Sequence, residues 1–295
     1  MKEGSADFLR SIYRVFRNEL RRDVLGSRVL VILALFMIFD LLMLVSFGYL
    51  MTADPAEGGS GTMPEAFEDP TAETWSNLAV ILSGAFYFSL LGIGAACFFG
   101  AGALARDLKS GTLRLVQATP TSREATYLGR NLSVFFISYF LAAIGSILMM
   151  VGFIIIGGLA ELDIATMAEI VLELGLKMQI VIAISILVGT TTTAALGVIT
   201  KSQTIAAIGG ISFFILIDSF LGIGASLFPE EWHLENLSFG YHQSEMIRWL
   251  IGRFDANYEI YESIDMPLGS VAVLVAIPIA ALLIGTHFYR NMDLD

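Results

Sequence analysis

The amino-acid sequence predicts an all-α polytopic membrane protein with six transmembrane helices. The chain of 295 residues is 56% hydrophobic and 15% charged, whereas about a quarter of the residues in a soluble domain are charged. Its mean hydropathy is +0.73. Six apolar stretches are long enough to cross a hydrocarbon core, which takes ~20 helical residues. The basic residues concentrate in the segments on one side of those stretches.

The six predicted spans occupy residues 29–289, which we treat as one transmembrane domain. They cover residues 29–51, 78–104, 132–159, 174–199, 204–228 and 267–289. The second and third spans are longer than a bilayer requires, so we expect them to tilt or to contain a break.

The distribution of basic residues predicts that both termini lie in the cytoplasm. With that orientation, seven Lys and Arg residues fall in 1–28 and five in 105–130. Two more are Lys201 and Arg290, which leaves three on the outer side. Cytoplasmic loops of membrane proteins carry this excess of positive charge. We therefore expect a multi-pass protein of the plasma membrane with a short cytoplasmic tail at 290–295.

The predicted outer side is strongly acidic. Six Asp and Glu residues fall in 52–77, four in 161–173 and eight in 229–266. Such a surface attracts cations to the mouth of a pathway, or it is simply the solvated face of a protein from a salty environment, which we favour. Within the outer loop 229–266, we expect a short helix over 244–254.

Residues 8–24 have the pattern of an amphipathic helix. Apolar side chains recur every three to four residues on one face. Four basic side chains share the opposite face: Arg10, Arg14, Arg17 and Arg21. Since no soluble domain is predicted for it to pack on, we expect this helix to lie in the membrane interface with its arginines on lipid phosphates.

The loop 105–130, between the second and third predicted spans, is compact and basic. Thr112 is placed to cap a short helix, and Pro120 ends that helix. Thr121 and Glu124 have the spacing of a capping box, so a new helix is predicted to start at Thr121 and to run into the third span. The expected result is a short helix across the cytoplasmic ends of two long ones.

This loop resembles that of the ABC-2 type transporter permeases. The matching residues are RDLKSGTL at 106–113, PTSR at 120–123 and LGR at 128–130. In that family an acidic residue, a Gly-Thr-Leu, a Pro-x-Ser-Arg and a Leu-Gly-Lys follow one another between the second and third spans. Here Arg106 and Asp107 stand where a glutamate is frequent.

The resemblance implies the transmembrane subunit of an ABC transporter, with an N-terminal elbow helix and a cytoplasmic coupling helix. It implies a second permease, most simply a copy of this chain in a homodimer, and separate ATP-binding subunits that carry ATP and Mg²⁺. The residues it places against the partner ATPase are Gly111, Thr112, Leu113, Pro120, Ser122 and Arg123. Export is expected, because the family resembles exporters and no substrate-binding domain is visible. The alternative is a non-transporting scaffold that anchors an ATPase complex.

The chain has no nucleotide-binding or hydrolase motif. A P-loop, a Gly-x-Ser-x-Gly and a His-Glu-x-x-His are all missing from the sequence. We therefore expect no catalytic residues, no cofactor and no nucleic-acid partner for this chain. His233 and His242 match no compact zinc signature, and Cys97, inside an apolar run, is interpreted as a small buried hydrophobe.

Two carboxylates lie deep within predicted spans, Asp40 and Asp218. A carboxylate at the centre of a bilayer costs ~2.5–3.5 kcal/mol on insertion scales. They either form a polar pathway for a substrate or fasten helices together as hydrogen-bonded acids. An intramembrane aspartyl protease would need Gly-x-Gly-Asp, but the GIG at 222–224 is followed by Ala225.

Small residues recur at four-residue spacing in two of the predicted spans. One set is Gly92, Ala96 and Gly100, and the other is Gly189, Thr193 and Gly197. Such stripes predict close approach between helices. The threonines at 190–193 are expected to hydrogen-bond to carbonyls one turn back in their own helix.

Overall fold

The computed structural model describes most of the chain. The described parts are residues 5–24, 26–52, 71–110, 121–218, 220–221, 234–254, 260–261 and 264–292.

The described parts are almost entirely helical. The α-helices are α1 (Ser5–Val24), α2 (Ser27–Thr52), α3 (Ala72–Ala85), α4 (Leu91–Ser110), α5 (Arg123–Leu159), α6 (Ile164–Thr200), α7 (Gln203–Ile211), α8 (Phe239–Leu250) and α9 (Leu268–Arg290). A 3₁₀ turn at Leu234–Leu237 precedes α8, and two short strands, β1 (Arg253–Phe254) and β2 (Ile260–Tyr261), pair antiparallel.

Five segments are long and apolar enough to cross a membrane. They are α2, the combined α3 and α4, α5, α6 and α9. These segments confirm a helical multi-pass membrane protein and correspond to five of the six predicted spans. The span predicted at 204–228 stays a prediction, because the described apolar helix there, Gln203–Leu216, is shorter, and 222–230 lie outside the described residues.

The long helices extend beyond the apolar stretches that predicted them. α5 begins at Arg123 and α6 at Ile164, each about ten residues before the predicted span. The acidic segment expected as an outer loop at 161–173 is therefore mostly the start of α6. Hydropathy marks the part of a helix that suits lipid, whereas its hydrogen-bonded ends continue into the polar region. Asp163 caps α6 by accepting a bond from the Ala165 amide at 3.0 Å.

A tilt or a break was expected in the second span, and the structure has a local distortion there that does not end the helix. α3 passes into α4 through a π-helical turn at Phe86–Leu90. A second π-helical turn, Ser212–Ile217, follows α7. Such widened turns redirect the side chains that follow them without ending the helix.

The two small-residue stripes, each predicted to permit close helix approach, face each other across α4 and α6. A Cβ at Gly100 would meet the Thr193 hydroxyl and lie 2.6 Å from the Thr190 carbonyl oxygen, and one at Gly189 would lie 3.1 Å from the Ala96 Cβ. The hydroxyls of Thr190, Thr191 and Thr193 donate to carbonyl oxygens one turn back, as expected, whereas the buried Thr192 hydroxyl has no hydrogen-bond partner among the described residues. α6 therefore lies against α4 with little between the two backbones.

The short helix expected at 244–254 lies earlier, at Phe239–Leu250. The prediction missed its start because it followed the apolar pattern rather than the cap. Ser238 accepts a hydrogen bond from the Tyr241 amide at 3.2 Å and begins the helix there. Met246 and Ile247 are buried beneath it.

The bundle has two ends with different chemistry. We call the end where α4 ends and α5 begins the loop end. The end where α5 passes into α6, near α8, is called the opposite end. α1, the start of α2 and the end of α9 lie at the loop end.

Candidate functional site at the loop end

A cluster of charged side chains lies where α1, α4 and α5 meet. Its centre is Arg130, which is 1% exposed. Arg130 Nη1 lies 2.6 Å from an Asp107 carboxylate oxygen, and Nη2 lies 3.2 Å from a Glu19 carboxylate oxygen. Nη1 also donates to the Ala103 carbonyl oxygen at 3.2 Å. One guanidinium therefore joins three helices, and we call Glu19, Arg22, Asp107 and Arg130 the charged cluster.

Arg22 completes the charged cluster from its solvent side. Its side chain is 51% exposed, and its guanidinium lies 2.5 Å from Glu19 and 3.7 Å from Asp107. Burial raises the pKa of Glu19, and the attraction of Arg130 and Arg22 offsets only part of that effect. The two carboxylates and two guanidinium groups thus balance in charge, although desolvation makes their burial costly.

α1 reaches the charged cluster by packing on α5. A Cβ at Gly129 would lie 2.8 Å from the Val15 Cβ and 2.9 Å from the Ile12 carbonyl oxygen, so only glycine permits this approach. The Phe16 and Phe136 rings pack with centroids 5.4 Å apart. The sequence predicted no soluble domain for α1 to pack on, and α1 instead packs on the apolar helix α5, where a glycine makes room for its backbone.

The other surface of α1 remains uncovered. Leu9 is 64% exposed and Tyr13 58% exposed. The four arginines predicted for the polar face are all exposed, namely Arg10, Arg14, Arg17 and Arg21. Placement of this surface in the membrane interface stays a prediction.

A second contact at the loop end joins α5 to α9. Arg123 Nη1 donates to the carbonyl oxygens of Arg290 at 3.0 Å and Met292 at 2.7 Å. The Arg290 guanidinium lies 3.4 Å from the Glu124 carboxylate. Because the last carbonyls of a helix have no partner within it, a guanidinium satisfies them well. Arg123, predicted to face a partner ATPase, thus has acceptors within its own chain.

The capping box predicted at Thr121 is wrong by one residue. Ser122 is the cap of α5, and its hydroxyl accepts a hydrogen bond from the Ala125 amide at 3.2 Å. Glu124 pairs with Arg290, a partner that the local sequence could not reveal.

The remaining predicted coupling residues, Gly111, Thr112, Leu113 and Pro120, lie outside the described residues. The coupling helix accordingly stays a prediction. What the described residues add is the structure on both sides of it, since α4 leads into this segment and α5 leads out.

Sequence reasoning missed the charged cluster because it counted charges by segment. Arg130 was counted among the loop residues, and Glu19 lies between the arginines of α1. One signal was available: on a helical wheel, Glu19 falls away from the arginine face, on the side that packs against other helices.

Asp40 lies at a contact among α2, the first π-helical turn and α5. It is 3% exposed, and one carboxylate oxygen accepts a hydrogen bond from the Tyr87 hydroxyl at 2.6 Å. The Tyr87 ring lies against α5 at Gly145, where a Cβ would overlap it. The other carboxylate oxygen of Asp40 has no hydrogen-bond partner among the described residues.

Asp218 binds a different part of the molecule. It accepts hydrogen bonds from the Ser238 hydroxyl at 2.9 Å and from the Gly240 amide at 3.0 Å. It therefore fastens the helix that follows α7 to the first turn of α8. The two carboxylates, Asp40 and Asp218, have separate partners, which favours the helix-fastening interpretation over an aspartyl dyad.

His242 is part of the packing of α8. Its ring nitrogens lie 3.0 Å from the Ser270 hydroxyl and 3.0 Å from the Asn236 carbonyl oxygen. Within the described parts of the chain, no group of three or more His, Cys, Asp or Glu side chains could hold a metal ion. His233 lies outside them, and Cys97 is buried, as predicted.

The site thus consists of a buried charged cluster and a second polar contact at the loop end of an apolar helical bundle. No protein-family model matches this chain, and no curated protein is similar enough to it to count as a relative.

Proposed function

We propose that this chain is the transmembrane permease subunit of an ATP-driven ABC transporter, working as an exporter with separate ATP-binding subunits. Support comes from the resemblance of residues 106–130 to the ABC-2 permease loop and from the five long apolar helices. The chain pairs with a second permease, most simply its own copy.

The observation that carries this function is the bonding of the helices beside the loop. Arg130 ties α5 to α4 and α1, and Arg123 ties the start of α5 to the end of α9. Force applied by an ATPase to residues 111–120 would therefore move α4 and α5 together with their neighbours rather than bend one of them. A bundle whose helices are joined in this way changes conformation by rigid-body movement of the joined helices.

Orientation is tested by cysteine labelling. Cys97 is 0% exposed, so a thiol introduced elsewhere is the reactive one. We expect Lys109→Cys to resist a membrane-impermeant maleimide in intact cells and to react after lysis, and Leu237→Cys to show the reverse. Reaction of Lys109→Cys from outside would contradict the proposed topology.

Coupling is tested with Leu113→Glu. We expect this variant to lose co-purification with the ATP-binding subunit and to lose ATP-driven transport. The matched control is Leu237→Glu, the same change at a residue that is 68% exposed at the opposite end. Undiminished ATPase binding and turnover in Leu113→Glu would remove the loop from the mechanism.

A scaffold that anchors an ATPase without transport is the second candidate. It is favoured by one observation: both intramembrane carboxylates have partners that hold helices together, Tyr87 for Asp40 and Ser238 for Asp218. ATP hydrolysis that is stimulated by a substrate in reconstituted vesicles would separate a transporter from a scaffold.

A further inference from the structure

A polar cleft at the loop end opens beside the charged cluster. Its volume is about 450 Å³, and it is lined on one side by Arg22, Asp107 and Arg130 and on the other by Ser27 and Arg28. It therefore lies between the turn that joins α1 to α2 and the facing parts of α4 and α5.

An apolar groove continues from this cleft along the bundle. Its volume is about 550 Å³, and Ser27, Arg28 and Phe98 line both cavities. From there the groove runs between α2 and α4, past Leu35 and Leu91. From Ser27 to Leu35 the helix rises about 12 Å. Together the two cavities form one site with a polar head and an apolar tail.

Arg28 is the cation at the junction of head and tail. It is exposed, and no carboxylate lies within ion-pairing distance of it among the residues that the structure describes. Its guanidinium lies over Gly102 of α4, 3.9 Å from where a Cβ would stand.

Each carboxylate that lines the cleft, Glu19, Asp23 and Asp107, has an ion-pair partner other than Arg28. Glu19 and Asp107 pair with Arg130, and Asp23 lies 3.4 Å from Arg22. The buried Arg130 also keeps its Nε without a hydrogen-bond acceptor among the described atoms. Arg28 is thus the guanidinium of the cleft that forms no ion pair with a described carboxylate, and it lies at the mouth of an apolar groove.

We propose that this site binds one anionic phospholipid, with its phosphate on Arg28 and an acyl chain in the groove along α2 and α4. A guanidinium binds phosphate through two parallel hydrogen bonds. A chain laid in the groove covers Leu35, Leu91 and Phe98, and each buried methylene stabilises the complex. A free phosphate would leave that apolar surface uncovered, and a second protein copy would have to present an anion to Arg28.

This lipid is a resident partner of the fold and does not depend on the proposed transport function. Its binding can be measured on the chain alone, without an ATPase or a transported substrate. Failure of one proposal therefore leaves the other unaffected.

The test uses the full chain purified in detergent with equal amounts of phosphatidylglycerol and phosphatidylcholine, and native mass spectrometry to count bound lipids. We expect the wild-type protein to retain one phosphatidylglycerol in preference to phosphatidylcholine. Arg28→Gln should weaken that retention about tenfold, the effect of losing one charge-assisted contact. Arg17→Gln, the same change at an exposed arginine of α1, should have no effect.

The tail is tested with Gly94→Leu. Gly94 lines the groove, and nothing lies within 4 Å of a Cβ added there, so a larger side chain at this position starts into open space in the groove. The control is Gly269→Leu, where the space is equally open but lies at the start of α9. We expect Gly94→Leu to lose phosphatidylglycerol and Gly269→Leu to keep it.

Four results would overturn the proposal. Two are equal retention in Arg28→Gln and Arg17→Gln, and equal retention in Gly94→Leu and Gly269→Leu. The third is displacement of phosphatidylglycerol by excess glycerol phosphate, which would mean that the site recognises the phosphate alone. The fourth is a dimer whose second copy crosslinks to a cysteine placed at Leu35, which would identify a protein as the occupant of the groove.

Discussion

The two ends of the bundle hold their helices together with different chemistry. At the loop end, Arg130 is buried between two carboxylates. At the opposite end, buried polar side chains make hydrogen bonds outside any ion pair, such as the contact of the His242 ring with the Ser270 hydroxyl at 3.0 Å. The opposite end nevertheless belongs to the acid-rich side of the sequence.

The comparison teaches that a local count of charges does not show where charge is buried. In the acid-rich segments, Glu173 and Glu245 pair with the partly exposed cations Lys177 and Arg248 of their own helices, and Asp163 accepts hydrogen bonds from neutral groups. The basic segments place arginines beside Glu19 and Asp107. The attraction within these ion pairs offsets part of the free-energy cost of burying the charges.

The largest effect is expected from Arg130→Met. It leaves Glu19 and Asp107 without their buried cation, and removing one partner from a buried ion network costs about 3–5 kcal/mol. We expect that loss in the free energy of unfolding, measured by SDS titration in micelles. Arg17→Met is the control. Equal stability of the two variants would mean that the cluster contributes nothing to the fold.

The next effect separates the two ends by charge. Asp107→Asn should cost about 2 kcal/mol, because Arg130 loses a charged acceptor. Asp218→Asn should cost less than about 0.5 kcal/mol, since one oxygen still accepts from Ser238 and Gly240, whereas Asp218→Ala should cost about 1–2 kcal/mol. Equal losses of unfolding free energy in Asp107→Asn and Asp218→Asn would contradict the proposed difference between the two ends of the bundle.

A smaller effect concerns Glu19 and pH. The pKa of Glu19 is raised in the folded state above the ordinary value of 4.5, so the folded state binds the proton more tightly than the unfolded state. The buried negative charge destabilises the fold, and this destabilisation is relieved as pH falls through the raised pKa. We expect the Tm of the wild type, relative to Glu19→Gln, to rise between pH 7 and pH 5. A falling difference would mean that the ion pairs outweigh desolvation.

The smallest effect is expected from Asp163→Ala at the opposite end. Hydrogen bonds from the Thr166 hydroxyl and the Ala165 amide lower the pKa of Asp163 below 3.8. Its stabilisation of α6 is therefore complete above the ordinary pKa and is lost as pH falls through the lowered value. We expect a slight loss of Tm at pH 7 that disappears in acid, a slope opposite to that of Glu19. A Tm difference independent of pH would contradict the cap.

The close approach of helices at two small-residue stripes was predictable from spacing alone. The stripe containing Gly100 and the one containing Gly189 do pack against each other, because four-residue spacing places small side chains on one helix face wherever the helix lies. The starts of α5 and α6 were not predictable from hydropathy, since their first turns are polar and depend on the caps Ser122 and Asp163.

The candidate site was only half predictable. The segment 105–130 stands out by its charge and by its resemblance to a known loop. The partners of Arg123 and Arg130 do not, because Met292 and Glu19 lie far away in the sequence. The sixth span and the coupling helix stay predictions.

By itself, the sequence determined that the chain forms long apolar helices and which of their faces carry small side chains. Hydropathy and residue size can be read along one helix without knowing its neighbours. Only the tertiary structure decided which arginines are buried and what they bind. An ion pair among α1, α4 and α5 exists only after the three helices have packed, and the free energy of burying its charges depends on all of them at once.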